Sequence, residues 1–285
     1  MVNSMKKKAK EKTNIPITAL LAIGALTILF PLYLTIIIAF KSPDQMSNNA
    51  KALLSLPTTW NFGNFKEAIV TTNFPVVLLN SLFITGCTVV AVIIINSLVA
   101  YAIARNMHKR FYKFVYMYFV SGMFVPFAIL MLPLVKQTSM FNMDNIPGLV
   151  VLYLVLNMSM NTLLYVGYLK NIPIALEEAA YVDGASTWTV FWKIIFPLLK
   201  PMHATVAIMT ALATWNDVML PLVILSGKDA SSMTLPMAQL LFQTQFGTNY
   251  NVAFASYLLA LLPMLIFYLF AQKWIINGVT NGAVK

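Results

Sequence analysis

Long apolar runs separated by short polar segments set the pattern of this chain. Six of them, 15–40, 76–104, 114–135, 146–169, 201–225 and 252–272, are long enough to span a bilayer. Crossing about 30 Å of hydrocarbon takes roughly 20 apolar residues in a helix. The pattern therefore predicts an all-α integral membrane protein with six transmembrane helices. Prolines inside the runs (Pro31, Pro126, Pro133, Pro221 and Pro263) predict kinks, which a membrane bundle tolerates when neighbouring groups satisfy the freed carbonyls. The first run follows a basic KKKAKEK stretch, as in a leader peptide. It is longer than a leader's apolar core and no small-x-small cleavage site closes it, so a retained helix is expected.

Composition sharpens the picture. Of 285 residues, 59% are apolar and 10% charged, against about 25% charged in soluble domains. A soluble globular enzyme and a disordered chain are both excluded. The single cysteine, Cys87, excludes an internal disulfide and reads as a small packing residue; no Cys/His cluster has metal-ligand spacing, so no metal site is expected. The 17 methionines are scattered and read as flexible packing.

The net charge of +10 points toward nucleic acid until it is located. With the N-terminus placed in the cytoplasm, 14 of the 19 Lys and Arg fall on cytoplasmic segments; Lys41, Lys51, Lys66, Lys136 and Lys228 fall outside. That asymmetry follows the positive-inside rule and places both termini in the cytoplasm of a multi-pass plasma-membrane protein. The N-terminal lysines then serve orientation and attraction to anionic lipid, with no nucleic-acid partner. The expected organisation is a basic N-terminus (1–14), a first helix (15–40), an extracytoplasmic loop (41–73), a five-helix core (74–276) and a cytoplasmic tail (277–285).

The one long cytoplasmic loop, 170–200, reads KNIPIALEEAAYVDGASTWTVFWKIIFPLLK. Pro173 suits a first helical turn, Ala175 to Tyr181 are rich in helix formers, and Asp183-Gly184 is a turn signal with Asp183 placed to cap the next helix. Trp188, Phe191, Trp192 and Ile195 recur at i, i+3, i+4 and i+7 and predict one apolar face; Pro197 and Pro201 end the helix before the fifth span. Glu177, Glu178 and Asp183 are three of only nine acids in the chain. With the small Ala179, Ala180, Gly184 and Ala185 they form either a solvated connector or a docking surface for a cytoplasmic partner.

The segment 177–201, EEAAYVDGASTWTVFWKIIFPLLKP, resembles the EAA motif of ATP-binding-cassette importer permeases, through Glu178, Ala179, Ala180, Asp183, Gly184, Ala185, Phe191, Ile194, Pro197 and Pro201. TWNDVMLPLVIL, 214–225, is similar to the W-N-D-x-x-x-P-L segment of carbohydrate-type permeases. GVTNGAVK, 278–285, is similar to the tail of the maltose-type second permease subunit, with Val279 and Asn281 in place of the commoner Leu and Ala. The resemblance covers roughly residues 70–285.

It implies a type I importer permease fold whose cytoplasmic coupling helix sits in a cleft of an ATPase subunit. Glu177, Glu178, Ala179, Ala180, Asp183, Gly184 and Ala185 would form that contact, and Gly278, Thr280, Gly282 and Ala283 would reach the ATPase interface. Implied partners are a second homologous permease, two ATPase subunits and an extracytoplasmic sugar-binding protein, with sugar as cargo. ATP and magnesium would sit on the ATPase subunits and no cofactor on this chain. The external segment 226–250 would approach the binding protein.

Other chemistry is limited. No G-x-x-x-x-G-K-[ST] occurs, so ATP is not bound here through a P-loop, and no nucleophile–base constellation marks an enzyme. His108 and His203 read as interfacial polar groups. A charge inside a span costs roughly 2.5–3.5 kcal/mol and faces protein or water. Asp217 is therefore a cavity-lining group, a lock between helices, or a structural hydrogen-bond acceptor. Asn80, Thr85, Asn96, Asn157 and Asn161, with Trp215 and Asn216, are candidates for a polar path or gate, against the alternative of polar glue between helices. An ion-driven sugar carrier would show repeated spans and several intramembrane acids, and a membrane-embedded enzyme a cluster of His, Glu or Asp; neither pattern is present. The same transporter class with a different cargo remains the nearest rival.

Overall fold

Proline decides where one of the expected spans stops being straight. In the computed structural model, which describes residues 15–46, 50–244 and 249–283 (for 50, 243, 244 and 273–283 the backbone only), the run 114–135 is two helices meeting at 107°. Val125 is extended (φ −86°, ψ 113°), as a residue before proline tends to be, and Pro126 follows it into the extended region (ψ 134°). Two consecutive extended residues turn the chain. Pro31, Pro133 and Pro263, by contrast, lie inside unbroken helices.

The described residues are helical throughout, without strands. The helices used below are α1 (Ile15–Ala39), α2 (Gly63–Thr71), α3 (Phe74–Arg105), α4 (Arg110–Ser121), α5 (Phe127–Met140), α6 (Ile146–Leu169), α7 (Ala175–Val182), α8 (Thr187–Leu198), α9 (Lys200–Asn216), α10 (Met219–Ile224) and α11 (Tyr250–Ala283). Four of them, α1, α3, α6 and residues Tyr250–Gln272 of α11, are long and apolar enough to cross a membrane. The pair α4/α5 and the pair α8/α9, which bends by 72°, bring the number of spans to six if each is one broken span. The run 201–225 is also interrupted: α9 ends at Asn216, and α10 begins at Met219 after a two-residue break.

α3 is the central rod, packed along α6 and α9. Around the C-terminal half of α3, Val92, Ala100, Tyr101 and Ile103 meet Tyr165, Val166 and Leu169 of α6, with Val190, Phe191 and Ile195 of α8 and Val206 of α9. On the other half, Ile84 meets Leu149, Leu152 and Tyr153 of α6 and Leu220 and Ile224 of α10. Most of α1 is exposed on all sides, and only Ile37, Ile38 and Ala39 at its end are buried. Apolar exposure of that kind belongs to a helix solvated by lipid or covered by a partner.

That end of α1 is clasped by polar side chains. The Asn64 amide donates to the carbonyls of Ala39 and Lys41, both at 2.8 Å, and the Asn251 amide to those of Ile38 and Lys41 at 3.2 and 2.8 Å. The Lys41 ammonium, 1% exposed, donates in turn to the carbonyls of Ala52 and Leu53. Terminal carbonyls with no helical partner are thus satisfied by α2, α11 and the buried lysine.

The start of α6 depends on one glycine. Asn145 caps it, its side chain accepting from the Gly148 amide at 2.9 Å, and the loop before it folds so close that a Cβ on Gly148 would stand 1.8 Å from the Met143 carbonyl oxygen. A backbone atom cannot move aside as a side chain does. Gly148→Ala should therefore lower the thermal unfolding temperature of the solubilised protein by several degrees, whereas Gly167→Ala, inside the same helix with nothing within 4 Å, should leave it unchanged or slightly raised in the same assay.

Candidate functional site

The loop 170–200 is the helix–turn–helix its sequence predicts, held from beneath by an ion pair. Glu177, on the first turn of α7, is 3% exposed. Its Oε1 accepts from Arg105 Nε at 2.6 Å and its Oε2 from the Tyr101 hydroxyl at 2.7 Å. Arg105 spends its other guanidinium nitrogens on the carbonyls of Leu169 (3.1 Å) and Ile172 (3.2 Å), where α6 ends. Arg105 therefore joins α3, the end of α6 and α7 at one point. Removing one partner of a buried pair typically costs about 3–5 kcal/mol, because the other charge is left uncompensated.

This corrects one expectation. Glu177 was grouped with the exposed acids of a docking surface; it points into the chain and is taken up by Arg105 and Tyr101. Glu178, Ala179, Asp183 and Gly184 are exposed, and Ala180 and Ala185 are half-buried, lying against the core around Tyr101 and Phe191. The exposed face includes apolar groups that the sequence reading passed over: Val182 is 87% exposed, and Tyr181 and Leu176 are also open. Neither Arg105 nor Tyr101 was singled out in advance. Their signal was the spacing of four residues on one helix face, in the last turns of a span, opposite a surplus acid.

The turn is built on Gly184, at φ +82°. Its amide donates to the Tyr181 carbonyl at 3.0 Å and the Ala185 amide to the Ala180 carbonyl at 2.9 Å, which is the paired bonding of a Schellman motif. Asp183 closes α7 and does not cap the next helix; Ser186 does, its side chain accepting from the Thr189 amide at 3.3 Å. In α8, a π-helical turn at Phe191–Ile195 rotates the expected apolar face. Phe191 and Ile195 are buried, whereas Trp188 and Trp192 stay exposed.

At the α8/α9 elbow, His203 is a brace rather than an interfacial group. The Phe196 carbonyl accepts from Nε2 at 3.0 Å, so Nδ1 accepts from the Tyr165 hydroxyl at 2.8 Å.

A second site lies between the two backbone breaks. A groove of about 640 Å³ is lined by the α4/α5 break (Gly122, Met123, Val125, Phe127), by Tyr153, Asn157 and Ser159 of α6, and by Thr214, Asn216 and Asp217. Asp217 accepts from the Tyr153 hydroxyl at 2.9 Å and from the Met219 amide at 2.9 Å. It lies at the break between α9 and α10 rather than in mid-helix, and it both lines the groove and joins α6 to α10. Thr214 is 5% exposed and its hydroxyl has no partner among the described residues.

Of the residues proposed for a cavity or gate, the structure gathers Asn157, Asn216 and Asp217. It excludes three. Asn80 donates to the carbonyls of Ser231 (2.7 Å) and Met233 (2.9 Å), pinning the segment after α10. Asn161 is 3% exposed and donates to Thr210 at 3.4 Å. Trp215 is buried against Val77, Leu235 and Ala238. Gly278, Thr280, Gly282 and Ala283 fall in the last turns of α11, where side chains lie outside the described residues, as does the basic segment 1–14.

A side chain on Gly184 would meet nothing within 4 Å, so substitution there reads backbone conformation alone. Gly184→Val should destabilise the α7–α8 turn by about 1–3 kcal/mol, read as faster limited proteolysis at 182–186, whereas Gly184→Asn, which tolerates positive φ, should be clearly milder.

Comparison with known proteins matches this geometry to one family. Residues 96–281 fit the family described as binding-protein-dependent transport system inner membrane component. The multiple sugar-binding transport system permease protein MsmG of Streptococcus mutans is 40% identical over 268 residues, 93% of this chain and 95% of that protein. The probable starch degradation products transport system permease protein AmyC of Thermoanaerobacterium thermosulfurigenes is 35% identical, across 90% of this chain and 91% of its own. In fold, the chain superposes with a TM-score of 0.80 and 22% identity on a chain of a bacterial ABC transporter that imports the acidic polysaccharide alginate, covering 95% of this chain and 99% of that one. Family match, near-full-length relatives and shared fold agree: this multi-pass membrane protein belongs to the inner membrane permease components of binding-protein-dependent transport systems.

Proposed function

We propose that this chain is a permease subunit of an ATP-driven importer that moves a sugar or oligosaccharide inward across the cytoplasmic membrane. It is a transport subunit and not an enzyme. The observation that carries the mechanism is the exposed outer face of α7, which offers Glu178, Ala179, Val182 and Asp183 while Glu177 fastens the same helix from within. An apolar knob with flanking carboxylates, presented on a turn fixed by hydrogen bonds, suits the cleft of a cytoplasmic ATPase subunit. Glu178 would pair with a basic group there, Val182 would fill the cleft, and Gly184 would keep the turn rigid.

The full assembly comprises a second, homologous permease, two ATPase subunits that hold ATP and magnesium, and an extracytoplasmic sugar-binding protein. Both termini of this chain face the cytoplasm, and each bent pair, α4/α5 and α8/α9, is one broken span, six in all. The closing end of α11, with Gly278, Thr280, Gly282 and Ala283, approaches the ATPase interface. Alternating access needs two global states, each favoured by a different ligand. ATP at the cytoplasmic subunits and loaded binding protein outside supply that bias.

The groove beside Asp217 supplies this chain's share of the path. Asn157, Ser159, Thr214 and Asn216 offer neutral donors and acceptors, and Tyr153 and Phe127 offer aromatic faces. Sugar hydroxyls pair with the first kind and apolar ring faces with the second.

Uptake by the reconstituted complex of labelled melibiose, raffinose, maltotriose and a dipeptide, with and without its binding protein, tests the cargo; uptake of the dipeptide alone would overturn the sugar assignment. Glu178→Lys should leave the chain inserted and assembled with its permease partner but cut sugar uptake per ATP hydrolysed by 10-fold or more, as read by paired transport and phosphate-release assays. Unchanged uptake in an assembled Glu178→Lys complex would sink the coupling role of α7.

A further inference from the structure

α3 is fastened at both ends to segments that face opposite sides of the membrane. It has 32 residues and a length of about 48 Å. At the cytoplasmic end Tyr101 and Arg105 hold Glu177 of α7. At the other end the Asn80 amide donates to the Ser231 and Met233 carbonyls, and the Ser81 hydroxyl accepts from the Leu235 amide at 2.7 Å. These bonds grip the short Ala230–Ser232 turn and the start of the Leu235–Ala238 helix. Between the two grips α3 has no proline and no break in its helix, so a displacement of one end is carried along it to the other.

We propose that α3 is the strut that links α7 to the external segment 230–235, with Glu177 and Asn80 as the positioning residues at its two ends. Displacement of α7 then cannot occur without displacement of 230–235, and a ligand that fixes 230–235 biases α7. By reciprocity each end changes the other by the same factor. This rests on the reading of α7 as the ATPase contact and of 230–235 as external.

The test uses the assembled transporter and needs no knowledge of the sugar. In a Cys87→Ser background, the exposed Ala230 is replaced, Ala230→Cys, and the rate of labelling by a membrane-impermeant maleimide is measured with and without ATP, magnesium and vanadate. With α3 intact, ATP should change the labelling rate several-fold. Glu177→Ala should abolish that response, and Glu177→Gln, which retains hydrogen bonding, should keep part of it. Asn80→Ala, which leaves the cytoplasmic packing untouched, should abolish it as well.

A Glu177→Ala/Asn80→Ala double variant should lose no more than either single one, since two ends of one strut are not additive. A merely structural role would reduce assembly and leave the ATP response of the assembled fraction unchanged. If Glu177→Ala does not assemble, Glu177→Gln and Asn80→Ala carry the test. An intact response in both of these overturns the proposal, as does an ATP-insensitive label in a complex that hydrolyses ATP. Absence of any copurifying, ATP-hydrolysing partner overturns instead the transporter reading beneath it.

Discussion

The ion pair between Arg105 and Glu177 is the constraint on which the α7–α8 end of this protein depends. Two charges removed from water lose more in hydration than their attraction returns, unless further hydrogen bonds complete the site. Here they do: Tyr101 takes the second carboxylate oxygen, and the carbonyls of Leu169 and Ile172 take the remaining guanidinium nitrogens. A satisfied buried network is directional where hydrophobic packing is not. It specifies one position for α7 against the ends of α3 and α6, which is why an eight-residue helix can stand with Val182 almost fully exposed and still have a defined orientation.

The far end of the bundle uses a different device for a similar purpose. There the problem is a helix terminus rather than a buried charge, and Asn64 and Asn251 answer it by donating to the last carbonyls of α1. Amides are neutral, so the clasp brings no large desolvation cost. It joins α1, α2 and α11 at the point where α1 is buried, while the rest of α1, though it lies along α11, is largely exposed.

Much of this was legible in the residues. The membrane helices followed from apolar length, and the α7–α8 turn from Asp183-Gly184, because only a glycine sits easily at φ +82°. The breaks were less legible. Pro126 interrupts a span while Pro31, Pro133 and Pro263 do not, and the difference lies in whether Val125 can be drawn into the extended region. No local sequence rule decides that for an apolar helix. Polar residues inside spans were equally ambiguous: Asn157 and Asn161 are one helical turn apart, yet one opens on the groove and the other is sealed against Thr210. Burial on a given face depends on the neighbouring helix, and that information is not local. Glu177 was misread for the same reason, since its partner lies 72 residues away.

The two backbone breaks have a consequence for how the chain is surrounded. Irregular backbone at membrane depth carries amides and carbonyls without helical partners, and hydrocarbon cannot satisfy them. Gly122, Met123, Val125, Phe127 and Asp217 line the same groove, so the interruptions are gathered on one flank while α1 and the described outer turns of α11 present unbroken apolar surface. The chain is therefore two-faced around its axis. One flank is compatible with acyl chains; the other tolerates only protein or water, and it determines which way the subunit must turn when it meets a neighbour.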